Sequence, residues 1–334
     1  MKKKRTVFYL LILALVLLLY LVFAQLIDAK VINRYYSGII TMVCINIILA
    51  VSLNLATGFL GQLVLGHAGF MSVGAYAAAL FTIHSGLPKM VSFPLALVLG
   101  GLVAAVFGVL IGVPALRLKG DYLAIITLGF GEIIRVVITN MDFTGGARGL
   151  RGIKHLTDFT WVYFVAVLTV AAVFAFIRSR HGRAVISIRE DEIAAEASGI
   201  NTTYYKLLAF IISAFFAGVA GALYAHHIGV LIPNKFDFNY STEILVMVVL
   251  GGMGSVTGSI IAAVVLTILP EFLRNFSDYR MVVYSVILIC VMLFKPSGLL
   301  GQHEFSLVGI WDAVRGKGKR NRADGPAVGG QKGA

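Results

Sequence analysis

Nine apolar runs dominate this chain: Val7–Ile27, Tyr36–Ala56, Leu63–Ile83, Val91–Val113, Asp121–Asn140, Phe159–Ile177, Leu207–Ile232, Tyr240–Leu269 and Tyr279–Phe294. Most are about 20 residues long, the length a helix needs to cross roughly 30 Å of hydrocarbon. A transmembrane barrel is excluded, because its strands would read as alternating segments of about ten residues. A soluble globule is excluded by composition: 13% of the residues are charged, against roughly 25% in soluble domains. The first run is too long for a signal peptide's apolar core and lacks a small-x-small cleavage site, so it is expected to remain as a helix.

The net charge of +12 is a matter of topology, not of nucleic-acid binding. Lys2, Lys3, Lys4 and Arg5 precede the first run, and Arg315, Lys317, Lys319, Arg320 and Arg322 follow the last. The excess of Lys and Arg in cytoplasmic segments puts both termini in the cytoplasm. Arg117 and Lys119, and the polar loop 178–206, fall on that side by parity, but the basic tail does so only if one run crosses twice. Tyr240–Leu269 is the one expected to do so, divided at Gly251, Gly252 and Gly254 into an inward and an outward limb. The expected fold is an all-α integral membrane protein, a polytopic bundle of about ten limbs, some short or broken, with a cytoplasmic coupling helix. Residues 1–302 form the transmembrane domain, and 303–334 a basic, largely disordered tail. In that tail Leu307, Ile310, Trp311 and Val314 share one helical face suited to the inner membrane surface. Cys44 and Cys290 stand alone in apolar runs, so no metal site, disulfide framework or cofactor is expected.

Small residues recur every fourth position at Gly100, Ala104, Gly108 and Gly112, at Ser213, Ala217, Gly221 and Ala225, and at Gly254, Gly258 and Ala262. Such ridges let helices approach closely in lipid. Between Leu53 and Phe70, glycines and polar side chains interrupt the apolar sequence. Non-helical backbone at membrane depth survives only where protein or water satisfies its freed polar groups. Asn54, Gln62 and His67 are therefore candidates both for satisfying a broken helix and for lining a pathway. Paired glycine-interrupted segments, here 61–69 and 251–258, are a sequence pointer to a transport route. Glu132 and Arg135 lie three apart on one helical face, either as a structural ion pair or as pathway residues.

The polar loop holds a helix signature. Ser187 and Glu190 have capping-box spacing, acidic Asp191 and Glu192 suit a helix N-terminus, and Gly199 suits the position after its end. A short helix of about Ile188–Ser198 is expected, slim enough at Ala195 to seat in a groove on another protein. From the residues alone a solvated connector fits equally well.

The run from Arg183 to Gly221, with Ile188-Arg189-Glu190-Asp191-Glu192-Ile193-Ala194-Ala195-Glu196-Ala197-Ser198-Gly199-Ile200-Asn201 at its centre, resembles the coupling region of LivM-type permeases of branched-chain amino-acid ABC transporters. Further segments resembling the family are Leu53–Tyr76, Thr144–Ile153, Gly251–Ser255 and Lys295–Gly301. Arg148 and Arg151 are more basic than the family usually carries there, and the tail after Gly301 matches no motif of it. The resemblance implies an importer subunit in the inner membrane of a bacterium or archaeon. Its expected partners are a LivH-type permease, two ABC ATPase subunits inside and a substrate-binding protein outside, with lipid around it and no nucleic acid. Ile188, Arg189, Glu190, Asp191, Glu192, Ala195, Glu196, Ala197 and Gly199 would couple to the ATPase. No G-x-x-x-x-G-K-[ST] occurs, so ATP hydrolysis is expected on other chains and this one is not an enzyme. An ion-coupled secondary transporter is the alternative. An intramembrane enzyme lacks support, since HExxH and G-x-S-x-G are absent.

Overall fold

The computed structural model describes residues 2–118 and 120–273 and scattered positions between 279 and 301; for residues 2–13 it describes the backbone alone. Eleven α-helices are found among the described residues: α1 Lys2–Asp28, α2 Arg34–Asn54, α3 His67–His84, α4 Lys89–Ala115, α5 Asp121–Asn140, α6 Phe159–Arg178, α7 Arg180–Glu190, α8 Glu192–Ala197, α9 Thr202–Ile228, α10 Phe238–Gly251 and α11 Val256–Phe272. The only pairing outside helices there is a single antiparallel bridge between Leu150 and Leu231. With its π-helical extension to Phe59, α2 is long and apolar enough to cross a membrane, as are α4, α5, α6 and α9. The chain is a multi-pass helical membrane protein. Of the ten expected limbs, the last, Tyr279–Phe294, falls largely outside the described residues, as do Cys290, Lys119 and the amphipathic stretch 307–314.

The centre of the bundle is a sandwich of α3, α4 and α9, and its small-residue ridges explain why. A methyl placed on Gly74 would strike the backbone of Gly218, one on Gly218 would strike Ala104 and the Gly100 carbonyl, and one on Gly221 would strike the Met71 carbonyl. Backbones this close gain dispersion contacts that lipid tails cannot match. Phe210 fills the space left at Gly112 and meets Phe70 edge-on at 5.4 Å. Of the most apolar eighteen residues of α9, 67% are buried, against 28% in α5 and 22% in α6. Those outer helices present apolar side chains outward, such as Tyr122, Ile125 and Ile133 on α5. Helix α1 lies against α6 through Tyr20, Phe159 and Tyr163, and the Tyr163 hydroxyl donates to the Val16 carbonyl at 2.7 Å.

Two expectations are corrected. The limb expected at Leu63–Ile83 starts as a helix only at His67, because residues 60–66 are non-helical, with Gly61 at φ 76°. The helix expected at Ile188–Ser198 is two helices, broken at Asp191, whose backbone is extended (φ −157°, ψ 110°). Ser187 is not a cap; its hydroxyl donates to the Ala184 carbonyl inside α7, and Ser179 and Asp191 cap α7 and α8 instead.

Candidate functional site

The first helix break begins where α2 widens into a π-helical turn, Leu55–Phe59, and then runs as irregular, non-helical backbone to Gly66. Two of the freed amides meet side chains from other helices. The Leu65 amide donates to Thr127 Oγ1 of α5 at 3.1 Å, and the Ala68 amide to Ser241 Oγ of α10 at 3.1 Å. His67 Nε2 lies 3.0 Å from Ser52 Oγ, while the Ser52 carbonyl accepts from Ser213 Oγ of α9 at 2.7 Å. Buried polar backbone is costly unless paired, and here side chains supply partners that helical hydrogen bonds would otherwise provide.

The second break lies between α10 and α11. Gly251 and Gly258 are in backbone contact across it, Gly252 and Gly254 adopt φ of 110° and 89°, and Ser255 caps α11 by accepting from the Gly258 amide. At 14 and 17 residues the two helices are about 21 and 26 Å long, each short of a full crossing. Their break at 251–255 is where the sequence placed it. Asn54 joins the two breaks. Its Nδ2 donates to the Ser255 carbonyl and to Ser259 Oγ, both at 2.8 Å, and its Oδ1 accepts from the Gly254 amide at 2.9 Å. Gly58 must be glycine here, since a methyl would collide with Asn54 Oδ1 and the Gly254 nitrogen.

Arg189, near the end of α7, reaches into this junction. Its Nη1 donates to the Gly58 carbonyl at 3.0 Å, its stem lies over Gly61, and its guanidinium pairs with Glu190 on the outer side. Beside it a cavity of about 270 Å³ is lined by Phe59, Phe174, Ile177, Arg178, Ile186 and Gly254. Beyond the Asp191 break, α8 is pinned from behind. Asp191 caps it by accepting from the Ile193 and Ala194 amides, Lys206 of α9 pairs with Glu192 at 2.8 Å, and Ala195 is 4% exposed. Its end is a Schellman motif, with Ile200 N donating to the Ala195 carbonyl and Gly199 at φ 82°, as the sequence anticipated for Gly199.

The family described as branched-chain amino acid transport system / permease component matches residues 35–292. The chain belongs to that family. Among its relatives, the LivM high-affinity permease protein of Salmonella typhimurium (strain LT2) is 40% identical, with 80% of this chain and 71% of the relative covered. The Escherichia coli (strain K12) LivM protein is 38% identical over the same shares. The LivH protein of that strain is 36% identical over 44% of this chain and 48% of its own length. No solved structure matches. The permease match includes both breaks, α7 and α8, and leaves α1 outside it.

Within the permease, the residues expected to couple or to line a pathway separate into distinct places. Ile188 and Ala195 are buried against Val185, Leu55 and Ala209, so the small face of α8 seats inside this chain. That corrects the expectation that Ala195 meets a partner. Glu190, Asp191, Glu196, Ala197 and Gly199 are exposed. Asn54 and His67 are 0% and 1% exposed and spend their bonds within the fold. Gln62 is partly exposed at the mouth of the break. Glu132 and Arg135 form an ion pair at 2.6 Å on α5, with Arg135 also donating to Asn234 at 3.1 Å, both side chains about one-third exposed (34% and 28%). Sequence reasoning missed Ile193, which is 77% exposed on α8, and Thr127, Ser241 and Ser259, whose hydroxyls complete the breaks. A large aliphatic between Glu192 and Ala194 was the available signal for the first. The three hydroxyls carry none, being ordinary in apolar helices.

Proposed function

We propose that the chain is one permease of an ABC importer for branched-chain amino acids in an inner membrane, with its N- and C-termini and the α7–α8 region in the cytoplasm. The orientation is supported by the basic residues Arg178, Arg180, Arg183 and Arg189, which the succession of crossings puts on the same side as the 117–119 loop and the basic ends. A LivH-type permease is the expected second half of the pathway, because both LivM and LivH proteins are among the relatives. Two ATPase subunits would dock from the cytoplasm and a substrate-binding protein from outside. Gln62, Glu132 and Arg135 lie on partly exposed surface, where a zwitterion passing between two permeases could meet them. The tail, 303–334, is assigned to no transport step.

The observation that carries this reading is Ile193. A large aliphatic side chain standing free on a short helix, on a segment pinned to the fold by Lys206, Glu192 and Ala195, has the character of an anchor awaiting a pocket. The assembled transporter, reconstituted in lipid with loaded binding protein, tests it. Ile193→Asp is expected to leave recovery of the permease unchanged and to lower stimulated ATPase activity about tenfold or more, the scale of a buried anchor residue. Unchanged stimulation would remove α8 from the docking surface. Uptake of labelled leucine driven by an ion gradient without ATP would favour a secondary transporter instead.

A further inference from the structure

The junction of the two breaks joins three elements that are distant in sequence. Arg189 leaves α7 one residue before Glu190 and two before the Asp191 break, so it sits at the hinge of the segment that carries the exposed Ile193. It holds the Gly58 carbonyl in the π-helical turn. Gly58 in turn abuts Gly254, and Asn54, one residue before that turn, binds the amide of Gly254, the carbonyl of Ser255 and the hydroxyl of Ser259. A path of two side chains thus runs from α7 to the turn between α10 and α11.

We propose that Arg189 and Asn54 are positioning residues that carry movement of α7 and α8 to the α10–α11 break, which thereby opens or closes with the state of the ATPase. This rests on the importer reading above. Three observations favour transmission over a static brace. The links are discrete hydrogen bonds, which can exist in two arrangements, whereas a glycine-packed helix interface deforms little. The 270 Å³ cavity borders Arg189 and Gly254 and gives the guanidinium room to swing. Glu190 is a second, exposed partner for the same guanidinium, so release from Gly58 does not leave a buried charge unpaired. Lying between two sites is not itself coupling, so the test must read coupling.

Met253, 47% exposed in the turn, is the reporter position. In the full transporter in lipid, with partner permease, ATPases and binding protein, Met253→Cys is labelled with a thiol reagent without nucleotide and after trapping with ATP and vanadate. A parallel sample keeping Met253 measures background from the native cysteines. With Arg189 present the labelling rate is expected to differ at least about fivefold between the two states, the lower range for coupled sites. Arg189→Met keeps the aliphatic stem over Gly61 and removes the donor; the difference is expected to vanish, and solute carried per ATP to fall by a similar factor. Arg189→Lys restores a donor and is expected to recover most of the difference. A nucleotide response that survives Arg189→Met overturns the proposal, and so does a lysine variant as unresponsive as the methionine one. Should Arg189→Met fail to assemble, Arg189→Leu, which also lacks a donor, gives the same readout. If the chain with Arg189 intact shows no nucleotide response while the assembly still takes up solute with ATP, the proposal is overturned; if ATP drives no uptake at all, the importer reading fails instead.

Discussion

The α3–α4–α9 sandwich and the Arg189–Asn54 junction are both buried, yet they are built on opposite principles. In the sandwich, glycine faces glycine and alanine, and the contacts are dispersion between closely approaching backbones. At the junction, a guanidinium and an amide bind freed backbone groups beside an open cavity, over a small apolar cluster of their own that includes Val51, Leu55 and Val173. The first arrangement has one low-energy geometry, since backbones in contact cannot slide without opening space. The second can exchange partners at little cost. A transport protein needs both, a frame that stays and a joint that moves.

The sharpest way to break this comparison is to overfill the frame. Gly221→Leu places side-chain atoms on the Met71 carbonyl and the Ala75 amide, and since backbone on both sides must yield, a loss of about 3 kcal/mol or more is expected. Size-exclusion chromatography of the detergent-extracted protein should then show little monodisperse material. A Gly221→Leu protein that folds and transports would mean the sandwich is itself deformable. Asn54→Leu comes next. It leaves the buried Gly254 amide without its acceptor, at a cost of about 1–3 kcal/mol, so the protein is expected in reduced yield with a lower thermal midpoint. If Asn54→Leu proves worse than Gly221→Leu, the junction is the frame and the contrast is inverted. The smallest effect belongs to Glu132→Gln on α5. Its pair with Arg135 is about one-third exposed, so the thermal midpoint should shift by the equivalent of less than about 1 kcal/mol. A larger shift would show that the pair is enclosed in the assembled transporter.

Legibility differed in the same way between the two regions. The helices of the frame were close to readable: Asp121–Asn140 is α5 to the residue, and Val91–Val113 lies inside α4. The small-residue ridges at Gly100–Gly112 and Ser213–Ala225 named the faces that meet. The break at 251–255 was visible in its glycines, and Asn54 in its place among apolar neighbours. What could not be read was which way each side chain of the 178–206 loop faces. Capping signals placed one helix at Ile188–Ser198, because the pattern at Ser187 and Glu190 looks the same whether or not Asp191 starts a second helix behind it.

Local sequence therefore determined what lipid and backbone chemistry impose on each segment separately: an apolar run of about 20 residues becomes a helix because its own hydrogen bonds are the ones available in hydrocarbon, and glycine with polar residues marks where that helix ends. Tertiary structure alone decided the partners. That Ala195 turns inward while Ile193 stands free, that Lys206 pins Glu192, and that Asn54 spends its side-chain bonds on a turn and the first helical turn after it, 200 residues away, depend on how helices distant in sequence come together. Those contacts satisfy polar groups in a medium that offers no water to do it, and no single segment carries the information of which partner will arrive.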